Sequence, residues 1–227
     1  MSFVRDKLSA KFFLFLMLAF LLIHVPIVGN YAKVINTLIH ESGHALIALL
    51  GGNVERISLF MNSEGATYSN QSTWAGSFFT SLAGYTFASF MAFLSYLLIG
   101  KKKQIILIDI LLGFMFLNLI FWVRNPYGIF WLCSFAIAFL ILLIKGSQNL
   151  RDYLLLLIAS ILLVDSVQSA YEILYISLIQ PYEAGDAANL ARLTVILPAP
   201  VWGFFFFLQA LWFSYYGLKR GYYKLEK

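Results

Sequence analysis

Between Phe12 and Ala32 the chain runs for 21 residues without a lysine, arginine, aspartate or glutamate, and further apolar stretches follow. A helix needs about 20 apolar residues to cross a bilayer core. Inside lipid no water satisfies the backbone N–H and C=O groups, so such a run must bond within itself, and that means helix. Charged residues divide the sequence into seven apolar segments: Phe12–Gly29, Val34–Leu50, Trp74–Gly100, Gln104–Val123, Ile129–Ile144, Tyr153–Ile179 and Thr194–Leu218. Hydrophobic residues make up 61% and charged residues 12%, against about 45–50% and about 25% in soluble domains. The expected fold is an all-α integral membrane protein, a bundle of about seven transmembrane helices. Residues 1–227 are expected to form one domain, with no soluble unit and no internal repeat.

The breaks between segments are marked. Lys101-Lys102-Lys103 and the stretch from Lys145 to Arg151 are polar boundaries, and Arg124-Asn125-Pro126-Tyr127-Gly128 reads as a turn. The net charge of +5 sits in short loops of this kind, where membrane proteins carry their cations. It therefore gives no reason to expect a nucleic-acid partner. The single cysteine, Cys133, excludes a disulfide framework and a thiolate metal cluster. Arg5, Lys7 and Lys11 ahead of the first apolar run look like the start of a signal peptide. No small-x-small cleavage site follows, so that run is read as a retained first helix.

One segment breaks the helical pattern. Gly51-Gly52 ends the second helix as a C-cap would. Val54, Ile57, Leu59 and Met61 then lead into Asn62-Ser63-Glu64-Gly65, with Thr67 and Tyr68 beyond. This pattern predicts a short β-hairpin within Gly51–Ser72 at the membrane surface. Such a strand edge can pair with an extended polypeptide, with Ile57 and Leu59 as candidate substrate-binding residues; an ordinary surface loop is the alternative.

The chemistry concentrates just before that hairpin, in His40-Glu41-Ser42-Gly43-His44. Residues four apart share one helix face, so His40 and His44 can bind one zinc ion. Glu41 then stands beside the site as a general base for water. The pattern arises by accident about once in a thousand sequences of this composition. A charge at mid-bilayer costs about 2.5–3.5 kcal/mol on insertion scales, so ionisable residues placed there usually have a task.

His40-Glu-Ser-Gly-His44-Ala-Leu, followed by Gly51-Gly52-Asn-Val54 and a hairpin, resembles the site-2 protease family of intramembrane zinc metalloproteases. Ala83-Gly84-Tyr85 is similar to the family's small-residue stretch after the hairpin. Gly185-Asp186-Ala187 through Thr194, then Pro198 and Val201-Trp202-Gly203, is similar to the closing segment of its short bacterial relatives. The resemblance runs from about Val34 to Trp212. It implies one zinc ion per chain, cleavage of a membrane-spanning or membrane-associated polypeptide within the lipid bilayer, and residence in a bacterial cell (inner) membrane. A zinc-binding transporter or scaffold that cleaves nothing is the alternative function.

A catalytic zinc site takes three protein ligands, so a third is needed. The family supplies an aspartate five residues after a proline, and Asp186 follows Pro181 at that spacing, although the family's Asn and Leu-Asp-Gly context are absent. Asp186 is expected to open the last helix, whose dipole would keep its carboxylate ionised. Asp165, deep in the apolar run Tyr153–Ile179, is the alternative ligand. Asn118 is a candidate for bonding either substrate backbone or a neighbouring helix. His24 reads as a packing or interfacial histidine.

Orientation is open at this level. If all seven segments span, the N-terminus, the hairpin, Arg124 and Arg192 share one side, and the lysine triplet and C-terminal tail share the other. The positive-inside rule then puts the C-terminus in the cytoplasm. The family resemblance implies the opposite, with the metal nearer the cytosolic face.

Overall fold

The computed structural model describes residues 10–222. Arg5 and Lys7 of the basic start, and Lys227 at the far end, lie outside the described residues. The elements in chain order are α1 (Ala10–Ile23), α2 (Val28–Ala48), β1 (Gly52–Leu59), β2 (Gly65–Gln71), α3 (Trp74–Gly100), α4 (Gln104–Phe121), α5 (Pro126–Lys145), α6 (Gln148–Ile179), α7 (Gly185–Thr194) and α8 (Ala199–Tyr222). The chain is an integral membrane protein built of helices, with one small antiparallel hairpin, β1 with β2.

Each of the seven apolar segments contains a helix, but their lengths differ. Five helices, α3, α4, α5, α6 and α8, are long and apolar enough to cross a membrane. The first two segments form a bent pair, α1 and α2, whose axes meet at 106°. Pro26 is the cause. It cannot donate to the helix ladder and disfavours helical geometry in the residue before it. Ile27 follows with φ 65, an uncommon conformation for a β-branched residue. Gly29 then passes so close to the Leu22–Ile23 turn of α1 that a Cβ there would strike the Ile23 carbonyl.

The pair crosses the molecule as one broken span. The ring of Phe12 lies 5.6 Å from that of Tyr96, and Phe15 stacks on Tyr153 at 6.0 Å. Tyr96 is near the end of α3 and Tyr153 near the start of α6, so α1 begins beside the lysine triplet. By contrast α2 ends at the hairpin, on the opposite face. The start of α1 and the hairpin therefore lie at opposite ends of the bundle, which two full spans would have put on one side. With the bent pair counted as one span, up to six spans are long and apolar enough to cross, beside the expected count of about seven.

Caps fix the remaining boundaries. The Thr73 hydroxyl accepts from the Gly76 amide at 3.0 Å and the Ser147 hydroxyl from that of Leu150 at 3.3 Å, as N-caps do. Pro126 opens α5, where its missing N–H does no harm. The Arg124 guanidinium donates to the Ile120 and Phe121 carbonyls and closes α4. The hairpin turns through Asn62, Ser63 and Glu64, with Ser63 at φ 69 and a bulge between Val54 and Arg56.

Lipid exerts no hydrophobic drive between helices, so close packing has to hold α2, α3, α6 and α8 together. Small residues allow it. A Cβ at Gly43 would run into Phe87 and the Ala83 carbonyl, and one at Gly203 into Ser177 and Leu174.

Candidate metal centre

The last three turns of α2 carry His40, Glu41 and His44 against α3. Gly84 of α3 lies directly beneath the two imidazoles, and a Cβ there would strike Nε2 of both. The ring of Tyr85 meets His40 edge-on at 4.6 Å and rests on Phe206 of α8 at 4.8 Å. Nδ1 of His44 lies 2.7 Å from the Thr80 carbonyl. A carbonyl only accepts, so that nitrogen carries the proton and Nε2 is left with its lone pair. The two Nε2 atoms are 2.9 Å apart.

The third group arrives from α7. Beyond Ile179, Gln180 to Ala184 turn the chain back, and Asp186 falls in the first turn of α7. Its Oδ2 lies 3.4 Å from His40 Nε2 and 3.2 Å from His44 Nε2. Burial alone would push this carboxyl up; the imidazoles of His44 and His40 outweigh it and hold the group well below the usual carboxylate range. Asp186 does not open the last long helix, as expected from the sequence. Val195, with φ 61, and Pro198 separate α7 from α8. The carboxylate is free of capping duty, because α7 is preceded by Ala184 with no side-chain cap bond.

These three groups fit a metal. One ligand atom from each of His40, His44 and Asp186 lies within 4.8 Å of the others. Zinc bonds of about 2.0–2.1 Å in a tetrahedron set ligands roughly 3.3 Å apart, and the three observed separations bracket that value. The absent Cβ at Gly84 keeps the space between the nitrogens clear.

Glu41 stands apart from this triangle. Its side chain is buried, and the Thr67 hydroxyl lies 2.6 Å from Oε2. All four residues line one cavity of about 570 Å³, walled also by β2 from Gly65 to Gln71 and by Ser77, Thr80 and Ser81 of α3. Polar walls distinguish it from the apolar cavity on the other face of α2 and α3, lined by Leu46, Phe79 and Phe90.

The other candidates lie elsewhere. Asp165 is outside the triangle; its Oδ2 accepts from Asn36 Nδ2 at 3.0 Å, inside the bundle. Asn118 is fully buried, donating to the Ser42 hydroxyl at 2.8 Å and to the Phe114 carbonyl at 2.9 Å. It ties α4 to α2. The side chains of Ile57 and Leu59, the candidates on β1, are fully buried in the core. Their backbone edge is taken as well, since Ile57 N–H donates to the Trp122 carbonyl at 3.0 Å and Leu59 exchanges two bonds with the Asn125 side chain. His24 is exposed at the α1–α2 bend, its Nδ1 2.7 Å from the Phe20 carbonyl. Thr80 completes the site without having drawn notice in the sequence, and Thr67 and Tyr85, marked there only in the hairpin and the small-residue stretch, stand beside it; a threonine in a strand or helix carries no signal of what it will meet.

Two imidazoles and one carboxylate thus converge, within an apolar helical bundle, as a set that could hold a metal ion. Residues 13–217 match the family described as peptidase M50B-like, and the chain belongs to this family of membrane peptidases, which is zinc-dependent in general. No curated protein and no solved structure matches the chain.

Proposed function

We propose that this chain is a zinc-dependent intramembrane endopeptidase, which hydrolyses a peptide bond of a membrane-embedded protein in a bacterial inner membrane. Residues 1–227 act in this reading as one metalloprotease domain. One observation carries it: His40, His44 and Asp186 converge on a single point, while the neighbouring Glu41 faces the same cavity with a carboxylate outside that set.

His40, His44 and Asp186 would hold zinc, which supplies Lewis-acid polarisation of the scissile carbonyl and the attacking water. The Thr80 carbonyl fixes the His44 ring. Glu41 takes the proton of the attacking water and delivers it to the leaving amine. The substrate enters as an extended segment along β2. Supporting this, the outer edge of β1 is occupied at Ile57 and Leu59, whereas β2 lines the cavity. Backbone pairing there would place a peptide bond over the site whatever its side chains.

The test is removal and return of the metal. A model membrane-spanning substrate in liposomes should be cleaved, the cleavage should stop when a chelator strips zinc, and it should return on zinc addition. Zinc held tightly with no cleavage of any membrane-embedded polypeptide would support the scaffold alternative instead.

A further inference from the structure

The strand β2 is hydrogen-bonded along α2 at three levels. The Thr37 hydroxyl donates to the Ser63 carbonyl at 2.6 Å, the Thr67 hydroxyl reaches Glu41, and Gln71 Nε2 donates to the Ala48 carbonyl at 3.1 Å. Thr37 and Glu41 are one helical turn apart, and Thr67 and Gln71 follow Ser63 at four-residue steps. In a strand, residues an even number apart point the same way. The hairpin is thus seated on the face of α2 that carries Glu41.

At the middle level the contact is with the carboxylate itself. Thr67 Oγ1 lies 2.6 Å from Glu41 Oε2 and 3.1 Å from the Glu41 backbone oxygen. An ionised carboxylate and a carbonyl only accept, so the hydroxyl is the donor. Among the described residues Thr67 is the one side chain that hydrogen-bonds this carboxylate. The other oxygen, Oε1, faces Gly65, where a Cβ would collide with Oε1 and Cγ of Glu41 and with Thr37. One oxygen is therefore tied to β2, and the other packs so closely against residue 65 that only a glycine fits there.

We propose that Thr67 is a positioning residue for hydrolysis: its hydroxyl holds the Glu41 carboxylate through Oε2 and so fixes where the base meets the attacking water. The hairpin that receives the substrate strand also holds the base in place. This rests on the reading of Glu41 as the general base. Thr67 touches no reacting atom in this scheme; it acts through Glu41. A base displaced by about 1 Å can lose on the order of 100-fold in rate.

The experiment compares the full-length wild type with Thr67→Val, Thr67→Ala, Thr67→Ser and Glu41→Gln, measuring kcat, KM and zinc content in liposomes. Val and Ala both remove the hydroxyl, one keeping the volume and one adding no bulk. Both should lower kcat about 10–100-fold, with KM within about twofold and zinc retained. Serine keeps the donor and should restore most of kcat. Wild-type kcat in Thr67→Val or Thr67→Ala overturns the proposal, as does a serine variant no better than valine, which would mean that the hydroxyl does not restore the rate. An inactive Glu41→Gln beside an unimpaired Thr67→Val sinks this inference alone. A fully active Glu41→Gln removes the base reading and this inference with it.

Discussion

The Asp186 carboxylate lies 3.2 Å from Nε2 of His44, joining a ten-residue helix after α6 to the end of α2 near the hairpin. Removing one of three protein ligands leaves a site that zinc fills poorly. Asp186→Ala should lower zinc occupancy and cut cleavage at least about 100-fold together, a larger loss than outer-shell changes cause. Asp165→Ala should keep its zinc and melt earlier, because it breaks only the bond to Asn36 within the bundle. Elemental analysis of the two purified variants separates the ligands. Zinc lost from Asp165→Ala and kept in Asp186→Ala would contradict the geometry.

Gly84 makes a second test. A methyl group there would press on Nε2 of both histidines, so Gly84→Ala should weaken zinc affinity by about 10–100-fold while the helices remain formed. Competition with a chelator of known affinity measures it. Undiminished affinity would mean that the two rings can swing away freely.

Asn118 and the β1 edge are predicted to be structural. Asn118→Leu removes one bond to Ser42 and a buried Oδ1 that lacks a partner. The cost should be about 1 kcal/mol or less, in line with polar contacts between membrane helices, and KM should not change. Proline at Ile57 would remove the N–H that donates to Trp122 and so report on folding. The substrate-facing edge is tested from the other partner: N-methylation of alternate substrate amides removes ladder donors and should raise KM if the peptide pairs with β2.

The single long helix α3 separates the hairpin turn from the lysine triplet, which places them on opposite faces. Cysteines introduced one at a time at Lys102 and Asn62, with Cys133 replaced by alanine, should label with an impermeant thiol reagent from opposite sides of sealed vesicles. Labelling of both from one side would mean that α3 does not cross the membrane. The same measurement settles orientation, where the charge balance and the family resemblance point in opposite directions.

The helices were legible because lipid leaves the backbone one choice, so long apolar runs such as Trp74–Gly100 end where their helices end. The hairpin showed in its turn residues. The α1–α2 bend was present as Pro26 but was masked by the uninterrupted hydrophobicity around it. At the site, His40, Glu41 and His44 announce themselves by spacing within one helix. Asp186 is brought to them by a chain reversal that no local pattern encodes, and only its spacing from Pro181 marked it. Ile57 and Leu59 alternate as strand residues should, but alternation does not say which face meets the core. Here the apolar face packs inward and the other strand meets the cavity.

The central claim, that this membrane metal centre hydrolyses peptide bonds with Glu41 as base, is tested most directly by one paired measurement. Wild type and Glu41→Gln are purified, their zinc is quantified, and each is given the same membrane-spanning substrate in liposomes. Both should carry one zinc ion per chain, and the variant's kcat should fall by about 10²–10⁴-fold, the usual contribution of a positioned acid–base group. Equal cleavage by the two proteins, or no cleavage by zinc-loaded wild type, would contradict the account.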